Sequence, residues 1–108
     1  QPDSLLRSVG GDRESALDVV RGFLQEEAEL RAALLRARTS RELVHACHTL
    51  KGAVEVFGMT ALRDRLSALE REAEQDGRAC AGDVGEGVDK EVASLVRRLT
   101  SFLQEAPK

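Results

Sequence analysis

Aromatic residues are nearly missing from this chain: three Phe, no Trp and no Tyr among 108 residues. β-Branched residues are sparse as well, while Ala, Leu, Glu and Arg abound. The abundant types are helix formers and the scarce ones build sheets, so the composition predicts an all-helical protein. No apolar run approaches the length of a membrane span, and no signal-peptide pattern is present. No basic stripe stands out and the net charge is −3, which argues against nucleic acid as the partner. Cys47 and Cys80 are the only cysteines and match no Cys-x-x-Cys spacing. A reduced, cytoplasmic setting is therefore expected.

Hydrophobic residues make up 42% of the chain and charged residues 32%, enough for one domain with one core over residues 1–108. The first residue is Gln1 rather than Met, and the expectation is a piece of a longer polypeptide, or a processed one. Leu5, Leu6 and Val9 predict a short helix or turn covering one end of the fold. After Gly10 and Gly11, Asp12 is placed to cap a helix whose broad apolar face holds Ala16, Leu17, Val19, Val20, Phe23 and Leu24. Glu26 and Glu27 then interrupt that face, and apolar spacing resumes with Leu30, Ala33, Leu34 and Ala37. This predicts either a bend near Gln25 to Ala28 or two consecutive helices, the second ending near Arg38. Thr39-x-x-Glu42 fits a capping box for the next helix. That helix runs to about Phe57, with Gly58 as its terminal glycine. Thr60 is the expected cap of a helix with Met59, Leu62, Leu66, Leu69 and Ala73 on its seam, ended by Gly77. The glycines from 77 to 87 predict a flexible connection. A last helix carries Val88, Val92, Leu95, Leu99 and Phe102. Such seams, joined by short connections, describe an antiparallel up-and-down four-helix bundle with a short additional N-terminal helix.

The stretch from Ser40 to Glu70 carries the chemistry. Leu43, Cys47, Leu50, Val54 and Phe57 alternate in steps of four and three, the seam of a helix buried on one side. His48 lies about 150° from the middle of that seam at 100° per residue, so its imidazole should face water. Gly52 follows one turn later on nearly the same face. Glycine within a helix costs about 1 kcal/mol against alanine, which usually has a packing or functional reason. Here it would clear the space beside the imidazole, and Lys51 can lay a positive charge near the same spot. An exposed histidine with a cleared approach and a nearby ammonium suits a nucleophile that receives an anionic group.

The run His48-Thr-Leu-Lys-Gly52 resembles the signature of histidine-containing phosphotransfer (HPt) domains, with Gly58, Leu62, Leu69 and Glu70 at the family's further positions. The resemblance implies that His48 accepts a phosphoryl group from the aspartate of one receiver domain and passes it to another. It implies no cofactor in this chain, since the receiver brings the Mg²⁺. It gives Lys51 a role with phosphate. Glu70 returns to the level of His48, about 17 Å down the next helix. The family's glutamate or glutamine at this place suggests that it accepts a hydrogen bond from Nδ1 and leaves Nε2 free to attack. The docking face would hold Val44, His45, Gly52, Glu55 and Arg41.

Glu42-x-x-His45 is half of a di-metal bundle motif, but no second Glu-x-x-His exists, and His45 with His48 supplies too few ligands for zinc. The glycines between Gly82 and Gly87 form neither a phosphate-binding nor a calcium loop, and no nucleotide-binding segment is evident. A carrier without its own kinase module is the expectation. Its rivals are a helical adaptor bundle without phosphotransfer, and the substrate domain of a chemotaxis-type histidine kinase.

Overall fold

The computed structural model describes residues 12–105. Four helices account for nearly all of them: α1 Arg13–Arg36, α2 Ser40–Glu55, α3 Thr60–Asp76 and α4 Gly82–Glu105. Each packs on its neighbours in sequence, and α4 closes the ring against α1. With connections this short, successive helices must reverse direction, which gives the up-and-down bundle. Gly58 and Gly77 take positive φ at two of the reversals. The expected helix around Leu5 to Val9 lies outside the described residues.

The core is apolar throughout. Ala16, Val20, Phe23 and Leu34 of α1 meet Leu43, Cys47, Leu50 and Val54 of α2. Leu62, Leu66, Leu69 and Ala73 of α3, and Val88, Val92, Leu95 and Leu99 of α4, complete it. Phe57, in the turn after α2, sets its ring edge-on to Phe23 at a centroid distance of 5.1 Å. Among the described residues no polar or charged side chain is buried.

Two expectations about helix limits are corrected. Of the two alternatives near Gln25 to Ala28, that of two consecutive helices is overturned: α1 is one helix of 24 residues. Its seam runs through Glu27, between Phe23 and Leu30. The Glu27 carboxylate, only 13% exposed, is matched by Arg31 at 2.8 Å, and Arg31 also holds Asp89 of α4 at 2.7 Å. The two carboxylates, Asp89 foremost, keep that guanidinium firmly charged. An acidic seam position thus joins two helices instead of breaking one. At its other end α1 stops at Arg36, short of Arg38, because Ala37 turns to extended backbone and the Arg38 guanidinium donates to the carbonyls of Leu35 and Ala37.

The capping box is present at the start of α2. Glu42 N donates to Thr39 Oγ1 at 3.1 Å, and Thr39 N donates to Glu42 Oε1 at 3.2 Å. Asp12 caps α1 by accepting from the N–H groups of Glu14 and Ser15. Thr60 does not cap α3; it is the first helical residue, and Met59 before it makes no side-chain cap bond.

The glycine-rich stretch is also not a loop. Only residues 77–81 connect α3 to α4, and Gly85 and Gly87 are helical. Ala81 and Gly85 extend the α4 seam by two further positions, and both are buried. A Cβ at Gly85 would lie 2.3 Å from the Ala81 Cβ and 3.6 Å from Leu35 of α1. The glycine is there for close approach. Arg78 holds the connection, donating to the carbonyls of Cys80 and Ala81 and to the Glu72 carboxylate.

Candidate functional site

The inward and outward faces of α2 divide its residues cleanly. Cys47 is fully buried, and the next residue, His48, has a side chain 73% exposed. Burial, reinforced by the negative charge of Glu70, pushes the Cys47 thiol up to about 12, so it stays protonated and serves as core filling. Arg41, His45, His48, Gly52 and Glu55 are all exposed, and Val44 is half-buried beside them. They form the outward stripe expected from the sequence. A Cβ on Gly52 would meet nothing within 4 Å, so the approach to His48 is open on that side.

Glu70 reaches the site from α3. Antiparallel packing of α2 and α3 brings it level with His48, while Leu69, its neighbour, points into the core. The Glu70 carboxylate is only 16% exposed and uses its two oxygens differently. Oε1 accepts from Lys51 Nζ at 3.0 Å, and Oε2 faces His48 Nδ1 at 4.0 Å. The first contact is a charge-assisted hydrogen bond. The second is about 1 Å longer than a hydrogen bond. The Lys51 ammonium is thus engaged with Glu70, an arrangement the sequence reading, which aimed it at an incoming anion, did not contain.

On the N-terminal side of His48, α2 and α3 enclose an open groove of about 550 Å³. Arg41, Val44 and His45 line it from α2, and Glu70, Ala73 and Glu74 from α3. Ala73 is expected from the sequence only as a seam residue, and Glu74 is not expected at the site, although it follows Glu70 by one helical turn and so shares its face. Glu55 and Gly52 lie on the other side of His48, outside this groove. His45 borders it, and its backbone carbonyl accepts from Thr49 Oγ1 at 2.9 Å.

Glu42, half of the metal motif weighed above, is occupied otherwise. Its carboxylate accepts from the N–H groups of Arg38 and Thr39, and these bonds, that of Arg38 first, hold it below the usual carboxylate range. Among the described residues no three His, Cys, Asp or Glu side chains gather as a metal site would require. Nor is any described helix long and apolar enough to cross a membrane.

No curated protein and no solved structure matches the chain. The family model of the Hpt domain matches residues 18–101, from the second turn of α1 into the last turns of α4. Matched over most of its length, and folded as the four-helix bundle that this family shares, the chain belongs to the Hpt domain family, the histidine phosphotransfer carriers of phosphorelays.

Proposed function

We propose that His48 is the residue that carries the phosphoryl group, taking it from the aspartyl phosphate of one receiver domain and giving it to the aspartate of another. The observation that carries this reading is the placement of His48: a side chain 73% exposed, with an empty notch at Gly52 and a carboxylate on its Nδ1 side. The Nε2 lone pair attacks phosphorus, the bond from phosphorus to the aspartyl oxygen breaks, and the aspartate leaves as carboxylate. The imidazole then holds the phosphoryl group on Nε2 and its proton on Nδ1, and the ring is cationic. Glu70 Oε2, already on that side, accepts from Nδ1–H, selects the reactive tautomer beforehand and stabilises the cation afterwards. Lys51 anchors the other oxygen of Glu70 at 3.0 Å and so fixes the carboxylate beside Nδ1. Passing the group on reverses these steps.

Mg²⁺, supplied by the receiver, would neutralise the phosphoryl oxygens during transfer. The partners in this reading are receivers of response regulators or of a hybrid histidine kinase, in a cytoplasmic setting. The chain acts as a carrier and relies on its partners for phosphate. The adaptor alternative is weaker, because a bundle that only binds needs neither the exposed imidazole nor the empty position at Gly52.

The test is incubation with receivers labelled on phosphate. Label is expected on this chain, stable to base and lost in acid. His48→Gln should fold normally and accept none, while His45→Gln should still accept it. An active His48 variant beside a dead His45 variant would reverse the assignment.

A further inference from the structure

Two charged residues on the groove beside His48 stand where helix electrostatics disfavours them. Arg41 is the second residue of α2, at its positive end, and Glu74 sits in the last turn of α3, at its negative end. Cations stabilise helix C-termini and anions N-termini, so both placements are reversed. Among the described residues neither has an ion-pair partner. The ion pairs around the site engage Lys51, Glu70, Glu72 and Arg78, but not Arg41 or Glu74, and both of these are exposed. Arg41 lies about 10 Å along α2 from His48, and Glu74 about 6 Å beyond Glu70, at 1.5 Å per residue. They stand about two turns of α2 and about one turn of α3 away from the level of His48 and Glu70. Their charges work against the helix ends that carry them.

Antiparallel packing gives the pair a joint effect. The start of α2 lies beside the end of α3, so helix dipoles and side chains add in the same sense across the groove. One wall carries the Arg41 guanidinium, and the other carries the Glu70 and Glu74 carboxylates. Val44 and Ala73 supply an apolar floor between them. His48 lines the same groove, so a globular partner that reaches the imidazole also covers this slot.

We propose that this polarised groove selects the receiver, with Arg41 and Glu74 as the specificity-determining pair. The preferred receiver presents an apolar side chain beside its phosphorylated aspartate, with a carboxylate on the Arg41 side and a basic residue on the Glu74 side. A receiver with the opposite order sets like charges together, which discriminates more strongly than the matched order attracts. This inference rests on the carrier reading above and adds to it the charge order of the partner.

The experiment uses Arg41→Glu, Glu74→Lys and the double variant. The probes are isolated receiver domains phosphorylated with acetyl phosphate and sorted by the charges flanking their aspartate. Each variant should melt at or above the wild-type temperature, because the new charges suit the helix ends. The receiver concentration for half-maximal transfer should rise about tenfold in each single variant with receivers of matched order. The rate at saturation should stay unchanged, and the double variant should favour receivers of the opposite order. Equal transfer from both charge classes, or unchanged half-saturation in the variants, overturns the charge order while leaving the carrier reading intact. A fall in the saturating rate would assign the pair to chemistry, and a lower melting temperature would assign it to the fold. If sedimentation showed a wild-type dimer dissolved by Arg41→Glu, the groove would belong to a second copy of this chain. Absence of label on His48 with every receiver would remove the carrier reading, and this inference with it.

Discussion

Gly52 sets helix stability against access to His48, and the two can be measured in one preparation. A Cβ there touches nothing within 4 Å, and α2 continues to Glu55, so substitution meets no steric penalty. Gly52→Ala should therefore stabilise α2 by about 1 kcal/mol, the full difference in helix propensity. For a domain of this size that raises the melting midpoint by about 4–8 °C. Gly52→Gln should recover somewhat less, since its rotamers are restricted. Side chains on a helix lean towards its N-terminus, so a glutamine at 52 extends over the turn that bears His48. A methyl group is too short to cover the imidazole, but a glutamine is not. Transfer from a phosphorylated receiver should fall at least tenfold in the glutamine variant, which needs only about 1.4 kcal/mol of lost docking, and little in the alanine variant. Calorimetry and quenched transfer assays on the same samples report both quantities. A stabilised glutamine variant that transfers at the wild-type rate would refute the open-approach argument. A destabilised alanine variant would refute the claim that this position is empty.

Cys47→Ala should lower stability by about 1–2 kcal/mol through lost packing and leave transfer intact. The thiol also has a pH signature. Its folded value is pushed up to about 12 from an ordinary 9.0, so the unfolded chain releases the proton first. Stability from this group is whole below pH 9.0 and falls above it by about 1.4 kcal/mol per unit. Denaturant titrations across that range should show a slope that Cys47→Ala abolishes, and a slope kept by the variant would place its origin elsewhere. Gly85→Ala should destabilise by about 1–3 kcal/mol, because the added methyl meets the Ala81 Cβ in a packed seam. A linker glycine would instead gain from the change, so a rise in melting temperature would contradict the packing described for α4.

Most of the fold was legible because the seams repeat in steps of four and three, a pattern that needs no knowledge of neighbours. Asp12 and the Thr39–Glu42 box were equally readable, as their bonds span only three residues or fewer. The level of Glu70 followed from helix rise alone. What stayed hidden depended on distant partners. Glu27 looked like a break because the guanidinium that accommodates it also answers to Asp89, 58 residues from Arg31. Gly85 looked flexible because its reason, close packing against Ala81 and Leu35, involves α1. The grip of Glu70 on Lys51 joins residues 19 apart on two helices, and nothing local announces it. The groove likewise exists only once α2 and α3 lie side by side.

The core of the described residues contains no polar side chain, and this decides how information leaves the molecule. Switching proteins change state by exchanging one set of buried contacts for another of nearly equal energy. A closely packed interior of leucine, valine, alanine and phenylalanine with the one thiol of Cys47, without a buried oxygen- or nitrogen-bearing side chain to re-pair, offers no such alternative set. A phosphoryl group on His48 would therefore leave the far side of the bundle as it was. Its message is legible only to a molecule that touches α2 and α3 at that spot. On this argument the bundle would serve as a tray rather than a relay of shape, and whatever sits on its far surface would stay blind to whether the tray is loaded.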